Sequence, residues 1–403
     1  MDRLLRPHLL VRRLCDDRYN GIGCGNEKMK CSIKFKTIFK HMRHSPTNLC
    51  SVKKSLHSIF LLFLVISCSK VDDTNQTNFE AVKQLHPTTI NVSGTELLVP
   101  SGLDVLESGL LIIERQQYTN KFKFFEFDQY HLMGAFGTSG GGPDEYSESI
   151  PQPVSTTITD KVQLYDWVKK RIQVYDISVN DHDGEVVQTK INEYVLPPEL
   201  MLSNYSAFIN DSTVVSSGGL SGGYISFTNV TTDQTDYFNP LDYDLSEYGH
   251  RQKSYLFESY FAVNNENELI AVASKFMPEL HIVTFEGDIV AKTNLPTDVD
   301  LTKLTDIENM TVNFYGVATS DQYIYASYIG KTMSEMDAVL ESTDFQDVDL
   351  IQLYKFDWDG NFIESFILTG GLYRYLSIDE ANKRLYSINS ISPTYEVVYF
   401  EME

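Results

Sequence analysis

The sequence predicts an all-β fold, a six-bladed β-propeller in which an N-terminal strand closes the last blade. A short β-rich run recurs six times along the chain. A second run, ending on an aromatic residue and an acid, follows it in most units, and the last unit is one strand short. Because a period near 50 residues is typical of propellers and other repeat arrays, we expect six small antiparallel sheets around one axis.

Each repeat opens with a polar turn that leads into a short run of aliphatic and aromatic residues. The equivalent positions in the six runs are Leu111, Leu164, Val214, Leu269, Ile324 and Leu385. They lie 53, 50, 55, 55 and 61 residues apart. Steps of this size hold one small antiparallel sheet with its turns, so each run marks one blade.

A second strand follows each run and ends on an aromatic residue and an acid. Five units show the pattern, at 124–128, 173–176, 282–286, 354–357 and 398–401, and the third unit, near 225–227, shows it poorly. Alternating aromatic and β-branched residues suit sheets that pack face to face, and the acid suits the turn into an outer strand.

Closure of the ring requires a strand from outside the last repeat. That repeat reaches Glu403 directly after its third strand, and the segment 90–99 belongs to no repeat. We therefore expect this segment to pair with the last blade as its outer strand, which would hide an exposed sheet edge.

Two motifs carry a resemblance to a known family. The run 137–146 contains Gly140, Gly142, Pro143, Glu145 and Tyr146, and the run 164–176 contains a Lys-Arg-Ile-x-Val-Tyr-Asp sequence. Together they resemble NHL-type propellers, and 323–331 and 354–361 are similar to later blades of TolB-like six-bladed propeller lipoproteins of Bacteroidetes. The resemblance covers residues 88–403. It implies the fold but no particular activity, since propellers have many functions.

A lipoprotein signal is predicted upstream of the repeats. The apolar run 59–66 follows Lys53 and Lys54, and residues 64–68 resemble the lipobox of bacterial lipoproteins, in which the cysteine, here Cys68, is acylated. The run is too short for a transmembrane helix, which needs about 20 residues. Several acyl chains on Cys68 would hold the protein on a membrane.

These features divide the chain into four segments. We expect residues 1–41 to be an untranslated or disordered extension, with translation starting at Met42. Residues 42–68 are the predicted signal peptide, 69–87 a polar tether and 88–403 the propeller.

The residues after Cys68 bear on localisation. Ser69 stands where proteobacterial lipoproteins retained at the inner membrane have Asp, and Lys70, Asp72 and Asp73 resemble the export signal of Bacteroidetes surface lipoproteins. The alternative is that these residues are only a flexible tether. We predict a lipid-anchored outer-membrane protein on the cell surface or the periplasmic side.

Charge and cysteine content exclude several functions. Residues 1–68 contain 13 of the 33 Lys and Arg residues, 4 of the 55 Asp and Glu residues and all five cysteines. The remainder therefore has a net charge of −31, which argues against nucleic acid as a partner. Without cysteine, thiol catalysis, disulfides and zinc clusters are excluded there.

Three short motifs invite other interpretations. The run 219–223 matches the G-x-S-x-G nucleophile elbow, but we expect a strand hairpin there. The acidic runs 181–184 and 357–360 look like fragments of a calcium loop, yet both fall where a hairpin turn is needed. The sequence therefore assigns no metal site, cofactor or catalytic residue, and calcium stays an open alternative.

The sequence leaves two candidate functions open. It also contains two insertions that are candidate sites of contact with a partner. The first function is a binding or scaffolding module for a protein or glycan ligand. The alternative is a propeller hydrolase, such as a lactonase-like enzyme, that uses channel carboxylates and a divalent cation. The insertions are 239–258 and 331–347, and apolar spacing in the second predicts a short helix that contacts a partner or caps its own blade.

Overall fold

The structure, a computed structural model, describes residues 83–402 except 116, 148–151, 154–160, 181–185, 201, 221, 242–243, 296–305, 343–348 and 392–394. The predicted extension, signal peptide and export signal, with Cys68, Lys70, Asp72 and Asp73, lie outside this part. The described residues belong to one compact unit. No helix among them is long and apolar enough to cross a membrane.

Six sheets follow two short strands, β1 (Lys83–Leu85) and β2 (Thr88–Thr89). Blade I has β3 (Pro100–Leu106), β4 (Gly109–Glu114), β5 (Thr119–Phe125) and β6 (Leu132–Thr138); blade II has β7 (Gln152–Pro153), β8 (Lys161–Asp166), β9 (Arg171–Val179) and β10 (Val186–Val195). Blade III has β11 (Tyr205–Asn210), β12 (Thr213–Ser217), β13 (Ile225–Asn229) and β14 (Thr235–Phe238); blade IV has β15 (Ser259–Asn264), β16 (Leu269–Ser274), β17 (Glu279–Thr284) and β18 (Ile289–Asn294). Blade V has β19 (Thr311–Thr319), β20 (Tyr323–Thr332), β21 (Ile351–Asp357) and β22 (Phe362–Leu368); blade VI has β23 (Tyr373–Asp379), β24 (Arg384–Asn389) and β25 (Glu396–Glu401).

The predicted six-bladed propeller is confirmed. Consecutive strands of each blade pair in antiparallel order, and the first strands of neighbouring blades contact one another around the axis, as β15 contacts β19 and β23 contacts β3. The six repeated positions all lie in second strands, and the aromatic-acid runs lie in the third strands or extend into the turns directly after them. The first strands therefore line the central channel.

The ring is closed by an N-terminal strand, as predicted, but the pairing residues lie earlier than 90–99. Thr88 and Thr89 pair with Tyr399 and Val398 in β25, and the Ile90 amide donates to Val397 O at 2.9 Å. The N-terminal segment contributes a further strand before residue 88. β1 pairs in parallel with β22 as a fifth strand of blade V, so the sheet begins at Lys83.

The core fills the spaces between blades and contains polar side chains that bind inner-strand backbone. Gln163 bonds both the amide and the carbonyl of Phe208 in the next blade, at 2.7 and 2.8 Å. The Trp358 indole donates to Ser320 O at 3.1 Å. Buried backbone groups need such partners because water cannot reach them. The Gln163 bonds connect blades II and III, and the Trp358 bond lies within blade V.

Two α-helices lie in the predicted insertions: α1 (His250–Leu256) and α2 (Met333–Ser342). Single 3₁₀ turns occupy Pro198–Leu200 and Ile307–Asn309. The helix expected in 331–347 is thus confirmed. Met336 is buried within the core that includes its own blade, and Ser334 Oγ donates to Glu308 O at 2.9 Å.

One buried histidine makes the stability of the fold depend on pH. His281 in β17 is fully buried beside the rings of Phe238 and Tyr224, at 5.6 and 5.8 Å. Burial, with a smaller effect of Lys292, lowers its pKa from 6.5 to about 3. Between these two values the unfolded chain binds a proton that the folded chain does not, so stability falls as pH drops below about 6.5.

We expect His281→Phe to reduce this loss of stability in acid. A single such group changes the free energy of unfolding by at most about 1.4 kcal/mol per pH unit. Between pH 6.5 and pH 5 the wild type should therefore lose about 2 kcal/mol more than the variant. Urea unfolding at the two pH values measures this, and parallel losses would show that His281 is not the group responsible.

Candidate functional site at the channel mouth

The topology gathers one set of loops on one face of the ring. In an antiparallel meander, the beginning of the first strand and the connection from the second to the third strand share a face. The segment 239–258 leads into β15, and α2 lies between β20 and β21. Both insertions therefore lie on the face where the inner strands begin.

Tyrosines and one arginine line the channel at this end. They are Tyr205 in β11, Tyr260 in β15, Tyr315 in β19, and Arg374 and Tyr375 in β23. All five side chains are partly exposed. We call this set the channel mouth. The rings of Tyr205 and Tyr260 are 5.6 Å apart, and the Arg374 guanidinium lies 5.2 Å from the centre of the Tyr315 ring.

β-Bulges at the channel mouth displace two of these tyrosines from regular strand positions. In β19, Phe314 and Gly316 pair with consecutive residues of β20, which leaves Tyr315 as the extra residue. In β23 the register shifts between Arg374 and Ser377, and Tyr375 has a φ of 58°. A bulky residue with such a φ costs about 1 to 3 kcal/mol and is frequently found at functional sites. Bulges likewise occur where a side chain is redirected.

Each bulge is held by a serine from the neighbouring strand of the same blade. Ser327 Oγ donates to Gly316 O at 3.2 Å, and Ser387 Oγ donates to Arg374 O at 2.8 Å. Both serines are buried. The same device therefore fixes the backbone beside Tyr315 and beside Tyr375 in two different blades.

The channel mouth holds polar atoms that lack protein partners. Arg374 Nε and Tyr315 Oη are buried and form no hydrogen bond of good geometry, although the Tyr315 hydroxyl acts on the Arg374 guanidinium and raises its pKa against the effect of burial. Burial raises the pKa of Tyr205 and Tyr260 well above 10, so these phenols remain protonated at neutral pH and can donate hydrogen bonds. Unpaired buried polar groups are rare and call for a reason, and a role in binding a ligand is one.

A carboxyl group lies deeper in the channel, at the seam between the first and last blades. Ser377 Oγ donates to Asp104 Oδ1 at 3.1 Å and accepts from the Val105 amide at 3.0 Å. Burial, opposed by the Ser377 hydrogen bond, raises the pKa of Asp104 to about 7. Asp104 can therefore exchange a proton near neutral pH.

The predicted loop motif lies elsewhere, between blades I and II. The Gly142 amide donates to the Glu145 carboxylate at 2.7 Å, and the Gly140 amide donates to Tyr146 O at 2.6 Å. A Cβ at Gly140 would collide with the Glu145 side chain. The loop thus folds around its own glutamate, which explains the glycine at 140.

The second motif holds this loop in place. Arg171 donates to Pro143 O and, at 2.8 Å, to Glu145 O. Lys169 donates to Gly142 O at 3.0 Å. The structure therefore brings the two motifs together as a structural clasp between blades I and II, and the clasp does not reach the channel mouth.

A shallow pocket of about 310 Å³ adjoins the clasp. Its lining includes Phe136, Tyr175, Asp144 and Lys190. Lys190 is already paired with Asp144 at 2.9 Å and with Glu193 at 3.1 Å. The charged side chains at this pocket are therefore already paired with one another.

The turn motifs occupy hairpins. The run 219–223 connects β12 to β13, a strand-to-strand link instead of the strand-to-helix turn of a nucleophile elbow, and Ser221 lies outside the described residues. Asp357 caps the hairpin between β21 and β22 by accepting from Asn361 N at 2.8 Å. The run 181–184 also lies outside the described residues.

Sequence reasoning did not identify the residues of the channel mouth. Its residues come from four blades and share no motif, although Tyr205, Tyr260 and Arg374 all lie near the start of an inner strand. Aligning the repeats on their inner strands would have shown tyrosine recurring at this level. The two bulges, which depend on pairing register, have no comparable signal in the sequence.

A family model described as TolB-like 6-blade propeller-like matches residues 83–380. Among solved structures, a DUF4221-family member from Bacteroides vulgatus is 11% identical over 80% of this chain and 98% of its own, with a TM-score of 0.47. A candidate exported protein from Bacteroides fragilis is 11% identical over 79% of this chain and 94% of its own, at 0.48. A streptogramin B lyase is 12% identical over 80% of this chain and 100% of its own, at 0.44. No curated protein matches the sequence significantly.

Proposed function

This chain belongs to the TolB-like six-bladed propeller family, and we propose that it is a lipid-anchored, extracytoplasmic binding module whose ligand occupies the channel mouth. The observation that carries the proposal is Arg374, a cation whose buried Nε has no partner and which packs against Tyr315. Ligand pockets commonly combine aromatic walls with a few polar groups of this kind.

We propose binding in preference to the hydrolase alternative. A glycan hydrolase uses two carboxyl groups on either side of the scissile bond. The carboxyl of Asp104 is bonded to Ser377 and lies beyond the tyrosines, and the carboxylate of Glu258 is paired with Lys275. The tyrosines and Arg374 supply hydrogen-bond donors and aromatic faces, which are the groups that hold a ligand.

A thermal-shift screen of small soluble molecules tests the proposed site. We expect at least one compound to stabilise the wild type, by about 2.7 kcal/mol at a concentration 100 times its Kd. Tyr260→Phe and Arg374→Met should weaken this effect. Tyr237→Phe, at an exposed tyrosine of β14, serves as the control. If the hits respond to Lys190→Met and ignore both channel variants, the ligand lies in the pocket between blades I and II.

The lipid anchor rests on Cys68 and the apolar run before it. We expect Cys68→Ser to leave an uncleaved precursor of lower mobility that incorporates no radiolabelled palmitate, because acylation of this thiol precedes cleavage. Fractionation and labelling of cells that express both forms measure this. A variant with normal mobility and normal labelling would exclude Cys68 as the lipidation site.

Surface exposure rests on Lys70, Asp72 and Asp73. We expect protease added to intact cells to digest the propeller. Replacing Lys70, Asp72 and Asp73 with Ala should protect it, while lipidation continues. A wild-type domain that survives until the outer membrane is opened would place the protein on the periplasmic side.

A further inference from the structure

We infer that the ligand of the channel mouth is an organic acid whose carboxylate binds Arg374, an inference that rests on the proposed function. Its basis is the combination of an arginine without an anionic partner, neighbouring phenols and a second arginine at one end of the channel.

Arg374 is placed to receive a planar anion. Its guanidinium lies 5.2 Å from the Tyr315 ring centre, and stacking on an aromatic face leaves the edge donors of an arginine available. Nε lacks a partner, and Arg374 takes part in none of the ion pairs within the described residues. A carboxylate can accept two parallel hydrogen bonds from this edge.

The acid near this site is already engaged. Glu258, directly before β15, forms an ion pair of 2.8 Å with Lys275. Because Glu258 and Lys275 neutralise each other, Glu258 does not neutralise Arg374. Arg374 is only partly exposed, so water solvates its charge incompletely, and a bound carboxylate would compensate that charge.

A second cation strengthens the preference for an anion. Arg115 directly follows β4, a second strand that ends on the same face as the channel mouth, and both Arg115 and Arg374 lower the pKa of Tyr375 against the larger raising effect of burial. This positive region lies in a protein whose net charge is −22. Its charge is therefore opposite to that of the protein as a whole, as expected for a selective anion site.

The tyrosines fit the body of such an acid. Tyr205 and Tyr260 present adjacent rings 5.6 Å apart, which can pack on a flat or ring-shaped molecule. Their protonated hydroxyls can bond to its polar groups. An aromatic acid and a sugar acid share the carboxylate that Arg374 would bind, and they differ in what meets the tyrosines.

Matched acid and neutral probes test the inference by titration calorimetry on the chain from residue 74 onward. The pairs are galacturonate with galactose, and benzoate with benzamide, at up to millimolar concentrations. We expect one acid to bind and its neutral counterpart to bind at least about 10-fold more weakly, because the neutral probe cannot accept charge-assisted hydrogen bonds from Arg374. Arg374→Met should weaken the acid about 10-fold to 100-fold, and Arg374→Lys less.

Whichever acid binds shows whether the part of the ligand that contacts the tyrosines is a sugar or an aromatic ring. An acid whose affinity is unchanged in Arg374→Met, a neutral probe that binds as well as its acid, or no binding of either acid would overturn the inference. Loss of binding in Tyr260→Phe together with equal affinity for acid and neutral probes would keep the proposed binding site and reject only the anionic ligand. Circular dichroism of Arg374→Met checks that the variant is folded, and Arg374→Lys gives an independent result if it is not.

Discussion

Replacing Arg171 with Met is expected to lower the free energy of unfolding by about 3 to 5 kcal/mol, because it removes two hydrogen bonds from a charged group, each of which contributes about 1.5 to 3 kcal/mol. Arg171 is buried and donates to Pro143 O and Glu145 O. Without it, Pro143 O loses its donor, Glu145 O keeps only Lys169, and blades I and II lose a direct link. Urea unfolding of the variant and the wild type measures the difference.

Lys190→Met is the matched control for Arg171. Lys190 also joins the two blades, through Asp144, but this ion pair is exposed and should contribute less than about 1 kcal/mol. Similar losses for the two variants would contradict the structural role of the clasp. Arg171→Lys should restore part of the stability, because lysine keeps the charge without the planar set of donors.

Removing the N-terminal strands is the second change with a large expected effect. A chain that begins at residue 92 lacks both β1 and β2, and with them the buried side chains of Leu85 and Ile90. Burial of each aliphatic side chain contributes about 1.5 to 3 kcal/mol. We therefore expect a loss of about 3 to 6 kcal/mol, with newly exposed edges at β22 and β25.

Two further chain lengths separate the contributions of these strands. A chain beginning at residue 83 keeps both strands and should match the longer protein. A chain beginning at residue 88 lacks only β1 and should be intermediate. Equal urea midpoints for chains that begin at 83 and 92 would show that closure by β2 does not stabilise the ring.

The repeats could be predicted from the sequence because each blade carries its own local pattern. Leu111 and Leu385 occupy equivalent places in second strands of the first and last blades, and both were recognised from spacing alone. Closure by an N-terminal strand was predicted correctly, but the residues that form this strand were not. The pair Thr88–Thr89 is too short to show alternation, whereas 90–99 contains an apolar pattern that instead leads into blade I.

The loop motif and the channel mouth show opposite limits of sequence reasoning. Gly140 and Glu145 stand out in the sequence because the loop demands them locally, and their role is structural. Tyr260 and Arg374 have no distinctive neighbours, since their relation arises only when blades IV and VI face the same channel. Motifs therefore identified the parts of the chain with the strictest backbone requirements, and the site depended on tertiary arrangement.

Labelling of single cysteines would test the channel mouth as the ligand site most directly. The chain has no cysteine after Cys68, so Tyr315→Cys in a chain from residue 74 carries a unique thiol. Tyr237→Cys on exposed β14 and Tyr224→Cys in the core are the references. We expect a small maleimide to react with Tyr315→Cys, and a bound ligand to slow this reaction while leaving Tyr237→Cys unchanged. A thiol at 315 as unreactive as the one at 224, or one that the ligand does not protect, would contradict a ligand site at the channel mouth.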